Sequence, residues 1–346
     1  MAMKNTLGLA LVAMLFALCF PAEAQQPKKV TMIGFLGTRP ASGSEAEPGS
    51  PEARGASMRL GNESVRRILR EFGYVEGQNI AFEYRSAENK LDRLPALADE
   101  MVRLKVDLLF TPGINEALAA KNATSTIPIV FSTTADPVAA GLVDSLARPG
   151  GNITGFTYIG AVLSGKRLEL LKETIPKLSH VGILWNPQDP GSTQQWKESQ
   201  LSASELGLRL HSMEVSSADK YEGAFEQATK ARIAAVAVTQ SALTNSYQKR
   251  IADLAAKKRL PAIYPRGDFV ESGGLISYGA DQTEPFKRVG SMIDKILKGA
   301  KPADLPVEQP TKFELMINLK TAKALGLTFP PVVLMRAEKV IKDAPR

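Results

Sequence analysis

The sequence predicts an α/β protein built from two doubly wound parallel-sheet lobes, and three observations predict it. From residue 30 onward, short β-rich runs alternate with longer helical runs. Several of the β-rich runs are apolar on both faces, as strands inside a parallel sheet are. One pattern also recurs. Ile127-Pro128-Ile129-Val130-Phe131 is followed, ten residues after its Phe, by Gly141-Leu142. Leu260-Pro261-Ala262-Ile263-Tyr264 is followed in the same way by Gly274-Leu275, an offset of 133 residues throughout. Alternation of this kind gives parallel sheets with right-handed crossovers. The repeat is what two similarly wound lobes produce, and a chain of 346 residues is long enough for both.

The first residues read as an address. Met1 to Lys4 carries one positive charge, Leu7 to Phe20 is almost wholly apolar, Pro21 breaks the run, and Ala22-Glu23-Ala24 precedes Gln25. That layout predicts a cleavable secretory signal over residues 1–24, cut after Ala24. The run is shorter than the roughly 20 apolar residues a membrane span needs. Cys19, the single cysteine, follows Leu18, where a lipoprotein signal places a small residue, so lipidation is not expected. The mature chain of 346 − 24 = 322 residues then holds no cysteine, which excludes disulfides and thiol chemistry. Its net charge of +7 is spread along the chain among acidic residues, as in a soluble basic protein, and predicts no nucleic-acid partner.

Expected strands in the first half are Val30–Leu36, Ile80–Tyr84, Val106–Phe110 and Ile127–Phe131. In the second half they are Val181–Trp185, Leu208–Val215, Ala234–Thr239, Ala262–Tyr264 and Leu275–Tyr278. Helices are expected between them. Leu91–Leu104 places Leu94, Leu97, Met101 and Leu104 on one stripe, and Gly165–Thr174, Gln195–Leu206, Tyr221–Ala231 and Tyr247–Lys258 read similarly. Pro40–Gly55 is rich in Gly, Ser, Pro, Ala and Glu without periodicity and reads as a loop after the first strand.

In open α/β sheets, ligands sit beyond the carboxyl ends of the strands. The residues there are Gly37-Thr38, Thr111-Pro112-Gly113, Ser132-Thr133-Thr134, Asn186-Pro187, Gln240-Ser241, Pro265-Arg266 and Gly279. Nearly all are small, polar and uncharged. They offer hydroxyls, amides and backbone N–H groups suited to a zwitterion or a carboxylate. Taken singly, each is also what a cap or turn requires. Asp136-Pro137 has the form of an N-cap with Pro at the first position of a short helix. A second role for Asp136, receiving a ligand ammonium, is compatible with it. Tyr264, Tyr278, Phe156, Trp185 and Tyr158 stand near strand ends or crossings, where a planar ligand could stack, though at least half should be core.

No catalytic motif stands out. Gly160–Lys166 resembles a phosphate loop, but Arg167 replaces the Ser or Thr that would hold magnesium, so the segment reads as a helix start. There is no G-x-S-x-G elbow. The two histidines, His180 and His211, lie at ordinary sheet positions and predict no zinc-type metal site. No catalysis and no cofactor are expected.

Several segments together resemble the ABC transporter substrate-binding family that includes the tryptophan- and tyrosine-binding lipoproteins. They are EFGYVEGQNI at Glu71–Ile80, RLPALA at Arg93–Ala98, STIPIVF at Ser125–Phe131 and DPV at Asp136–Val138. LARPGGNITG at Leu146–Gly155, LSGKRLELLK at Leu163–Lys172 and KILKGAKPADLPVEQPTKFEL at Lys295–Leu315 complete the set. The resemblance implies a type I periplasmic-binding fold with a three-segment hinge. One lobe would comprise residues 25–155 plus 279–305, the other 156–278 plus 306–346, with crossings near Phe156, Tyr278 and Pro306. It implies a ligand between the lobes at Thr38, Gly113, Ile114, Ser132, Thr133, Asp136, Thr157, Asn186, Gln240, Tyr264 and Tyr278. It further implies a monomeric periplasmic protein that closes on a small molecule such as an amino acid. That protein would deliver its ligand to ABC permease and ATPase subunits on separate chains, with no stable membrane insertion of its own. A sensor feeding a receptor, or an enzyme in the cleft, are the rival readings. The chain departs from the family pattern at Met58–Asn62, which replaces an aromatic-rich helix start on the Thr38 side of the cleft.

Overall fold

The computed structural model describes residues 30–38, 63–88, 90–281 and 284–342. The signal segment, the Pro40–Gly55 loop and Met58–Asn62 lie outside them. The first sheet holds β1 (Thr31–Gly37), β2 (Ile80–Ser86), β3 (Leu108–Thr111), β4 (Ile129–Thr133) and β5 (Ile153–Thr157) in the order β2-β1-β3-β4-β5, with every pair parallel. The second holds β6 (His180–Trp185), β7 (Arg209–Glu214), β8 (Ala235–Val238), β9 (Ala262–Tyr264), β10 (Ile276–Ala280), β11 (Phe313–Asn318) and β12 (Lys339–Ile341). Its order is β12-β11-β10-β9-β8-β6-β7, and β11 runs antiparallel to β10 while the other pairs are parallel. The expected α/β architecture with two parallel-dominated sheets is therefore the observed one.

The helices in chain order are α1 (63–71), α2 (Leu94–Arg103), α3 (Ile114–Ala123), α4 (Gly160–Thr174), α5 (Pro190–Leu206) and α6 (Tyr221–Lys230). They continue as α7 (Ala242–Ser246), α8 (Gln248–Lys257), α9 (Gly267–Glu271), α10 (Glu284–Leu297), α11 (Leu319–Leu325) and α12 (Pro331–Leu334). They cover both faces of each sheet, because alternate strand residues point to opposite sides. Leu36, Leu109 and Phe131 pack against Leu97 and Met101 of α2 and Ala117 and Ala120 of α3. Their neighbours Phe35, Leu108 and Val130 pack on the other face against Val65 and Leu69 of α1 and Val289 and Ile293 of α10. In the second sheet Val236, Val238 and Tyr264 meet α6 and α8. Ala235, Ala237 and Ile263 belong to the opposite cluster with α4.

Three stretches of chain run from sheet to sheet. The first follows Thr157, the second joins Ala280 to Glu284, and the third joins Glu308 to Phe313. Phe156 pairs with Ser132 and Thr157 with Thr133, so the chain leaves the first sheet after Thr157. Tyr278 pairs with Leu315 inside β10, so the second crossing falls beyond Ala280. Glu308 N donates to Gly155 O at 2.9 Å and Thr157 N donates to Glu308 O at 3.0 Å. That bridge places the third crossing after Glu308, just beyond Pro306. Ile159 adopts φ 46° and ψ 37°, the left-handed region. A β-branched residue there is strained, and the strain sits at the first crossing.

Some elements depart from expectation for physical reasons. β5 was not among the expected strands. In the fold Gly155 lets β5 approach β4, since a Cβ there would lie 2.7 Å from Phe131 Cγ. α4 and α5 begin at Gly160 and Pro190, ahead of the expected Gly165 and Gln195. Asp136 does cap, accepting from Val138 N at 2.8 Å and Ala139 N at 3.1 Å, but it caps a turn and not a helix. Among the described residues no helix is long and apolar enough to cross a membrane.

Candidate ligand-binding cleft

The carboxyl ends of strands from both sheets open onto one cavity of about 170 Å³. The first sheet contributes Thr38 after β1, Pro112, Gly113 and Ile114 after β3, Ser132, Thr133 and Thr134 at the end of β4, and Tyr158 after β5. The second contributes Gln240, Ser241 and Ala242 after β8, Arg266 after β9, and Asp189 and Gly191 at the start of α5. Phe286 of α10 and Asn245 of α7 complete the walls. A second hollow of about 220 Å³ adjoins it, sharing Thr38, Gly113, Glu116 and Asp189 and adding Asn186.

On the first-sheet wall, Glu116 is 5 % exposed. Its Oε1 accepts from Thr38 Oγ1 at 2.7 Å. The carboxylate folds back over the backbone of Gly113, where a Cβ would lie 2.9 Å from Glu116 Cδ. An acid in the first turn of α3 also complements the helix dipole. On the second-sheet wall, Arg266 Nη2 donates to Asp268 Oδ2 at 2.5 Å. Burial pushes the Tyr158 hydroxyl up to about 12, although Arg266 nearby opposes the shift, so it remains a proton donor at neutral pH.

A buried polar network backs the second-sheet wall. Gln195 of α5 grips the backbone of Gln240 from both sides: Nε2 donates to Gln240 O and Oε1 accepts from Gln240 N, each at 2.8 Å. Nε2 also donates to Gly191 O at 3.0 Å. Arg167 of α4 donates from Nε to Tyr278 O at 2.9 Å and from Nη1 to Gln195 Oε1 at 3.4 Å. Ser192 Oγ and Thr239 Oγ1 lie 2.7 Å apart, and Ser192 Oγ also accepts from Asn186 N at 2.8 Å. These bonds satisfy polar groups that burial would otherwise strand.

The two walls touch at one side of the cavity. Asp136 N donates to Gln194 Oε1 at 2.8 Å. Gly191 lies so close to the turn after β4 that a Cβ would come 2.9 Å from Ala135 N and closer still to Thr134 Oγ1.

Of the residues expected at the site, Thr38, Gly113, Ile114, Ser132, Thr133 and Gln240 come together in the cavity, and Asn186 lines the adjoining hollow. Four do not reach it. Asp136 caps its turn, with its backbone turned to Gln194. Thr157 is buried and donates to Ala135 O at 3.1 Å. Tyr264 is 1 % exposed and stacks on Phe269, with ring centroids 4.9 Å apart. Tyr278 stacks on Phe313 and offers its carbonyl to Arg167. Phe156 and Trp185 are likewise core. Glu116, Asp189, Gly191, Asn245 and Phe286 line the cavity without having been singled out by the sequence.

Residues 54–341 match the profile of the family described as ABC transporter substrate binding protein. A tyrosine-binding protein of Clostridioides difficile (strain R20291) is 29% identical over 261 residues, 75% of each chain. A structure from Streptococcus pneumonia, described as an ABC domain in complex with L-Trp, superposes with a TM-score of 0.76 at 26% identity, covering 90% of this chain and all of that one. The ligand-free, open structure of a substrate binding protein with adhesive properties from Clostridium difficile gives 0.61 at 27% identity, covering 91% of this chain and all of that one. Solute-binding proteins of lower identity, such as one from Thermotoga lettingae in complex with 5-methylthioribose (13% identity, TM-score 0.59, 90% of this chain and 97% of that one), share the fold alone. Two α/β lobes with a cavity at their facing strand ends, together with a match over most of the length, place this chain in the ABC transporter substrate binding protein family.

Proposed function

We propose that this chain is the periplasmic solute-binding component of an ABC uptake transporter, and that its ligand is an amino acid with an aromatic side chain. One observation carries the reading: strand ends from both sheets wall a single cavity. A ligand there contacts both lobes only when they are together, so binding favours the closed form. Each lobe contributes one sheet, with the hinge at the three crossings. Glu116 stands on the first-sheet wall, where a ligand ammonium would be received, and Arg266 on the second-sheet wall is already paired with Asp268. Tyr158 and Phe286 supply aromatic surface, and the relatives named for tyrosine and L-Trp support the ligand class. The chain acts by binding alone. Cleavage after Ala24 would release it to the periplasm, where it presents its closed face to permease and ATPase subunits on other chains.

The test is a thermal-shift screen of residues 25–346 against the L-amino acids and small organic acids. A ligand at a hundred times its dissociation constant adds about 2.7 kcal/mol, which raises the melting point visibly. A shift confined to aromatic amino acids is the expected result. A folded, ligand-free protein that no amino acid shifts would contradict the reading.

A further inference from the structure

Arg167 is the largest of the fully buried side chains, 2 % exposed, and among the described residues no carboxylate pairs with it. Its Nη2 has no hydrogen-bond partner. Burial pulls the guanidinium down from its ordinary value to about 9. A lone buried cation is expensive in a fold, and a neutral residue of the same length would pack α4 more cheaply. Its bonds to Tyr278 O and Gln195 Oε1 satisfy two buried acceptors, a task that neutral donors could also perform.

Its neighbours give the explanation. The guanidinium bonds Gln195 Oε1, and Gln195 holds both Gln240 and Gly191, which line the cavity. Arg167 is thus one side chain behind the second-sheet wall, in surroundings of low dielectric where a charge acts strongly. The groups between it and the cavity are carboxamides and backbone amides, which polarise in its field and carry no opposing charge. We propose that Arg167 is the buried countercharge for the carboxylate of the ligand, acting through Gln195 and the Gln240 loop, so that the cleft selects an anionic carboxyl end on its second-sheet wall. The ammonium of the same ligand then faces the first-sheet wall, where Glu116 lies. This rests on the amino-acid reading and adds the group selected and the residue that selects it. Arg167 is a positioning and electrostatic residue, not a contact residue.

The test is titration calorimetry on residues 25–346 with L-tryptophan and L-tyrosine against their carboxamides, which keep the side chain and ammonium but lose the anion. The wild type should prefer the acids. Arg167→Met should weaken the acids on the order of tenfold and leave the amides unchanged, so that the preference collapses. Arg167→Lys, which keeps the charge and loses the fork to Tyr278 O and Gln195, should keep the preference. An Arg167→Met protein that weakens acid and amide equally would make Arg167 a strut only, and would overturn the proposal, as would an unchanged preference. If Arg167→Met does not fold, Arg167→Lys decides alone, since a lost preference with the charge retained contradicts the account. A wild type that binds none of the four probes contradicts the amino-acid reading. The same comparison is then run with small carboxylates and their amides. Preference for the carboxylates sustains the role of Arg167, and preference for uncharged solutes overturns it.

Discussion

Gly113, Gly155 and Gly191 are each hemmed in, with different consequences. A Cβ at Gly113 meets the far end of the Glu116 side chain, which can swing away. Gly113 has φ −175°, extended backbone open to any residue, so Gly113→Ala should leave stability within about 1 kcal/mol. It should weaken ligand binding severalfold by moving the carboxylate, as calorimetry and a melt on one sample would show. A Cβ at Gly155 meets the carbonyl and ring of Phe131, a strand neighbour that cannot move alone. Gly155→Ala should cost about 1–3 kcal/mol, read as a lower melting temperature. Of the residues that sequence places at strand carboxyl ends, nine line the cavity: Thr38, Pro112, Gly113, Ser132, Thr133, Thr134, Gln240, Ser241 and Arg266. The strand-end rule missed Glu116, which lies one turn inside α3 and reaches the cavity only by folding back over Gly113. Phe286 was hidden for another reason: α10 follows a second-sheet strand yet packs on the first sheet, and no local pattern announces that return.

Where the second and third crossings meet, polar side chains form a clamp. Arg288 on α10 donates to Glu284 Oε1 and to Glu308 Oε2, each at 2.6 Å, and Thr311 Oγ1 donates to Glu284 Oε1 at 2.7 Å. Burial raises the Glu284 carboxyl, but the bonds from Thr311 and Arg288 outweigh it and hold the group below its ordinary range. A depressed acid contributes stability above its unfolded value of about 4.3 and loses it as the pH falls through the lower folded value. Glu284→Gln should therefore be about 1 kcal/mol less stable than wild type at pH 7. The gap should close as the pH drops below about 4, which paired melts across pH would check. The elements were not all equally legible. α2, α6 and α8 bury one regular stripe and were located to within a residue or two, apart from the 3-10 turn at Leu91–Arg93. α3 is Ala-rich with little contrast between its faces and was not expected, and α10, although it buries a regular stripe, was not expected either. β11, antiparallel to β10, and β12, parallel to β11, form an edge that strict strand-helix alternation does not anticipate.

For the molecule as a whole, the two sheets face each other across the cavity and their walls touch at one side. That touch includes Gly191 against Thr134 and Ala135. Gly191→Ala should hold the lobes apart at this point while each folds normally. Ligand affinity should fall on the order of tenfold, with the ligand-free melting point nearly unchanged. The two parallel-dominated sheets were legible from the alternation of strands and helices, and the family resemblance put the crossings near Phe156, Tyr278 and Pro306. Closure on an amino acid is the central claim, and small-angle X-ray scattering of residues 25–346 with and without saturating L-tryptophan or L-tyrosine tests it most directly. The account predicts a smaller radius of gyration with ligand in the wild type and no such decrease in Gly191→Ala. A wild type saturated with ligand, as calorimetry on the same sample would verify, whose radius of gyration stays the same would contradict it.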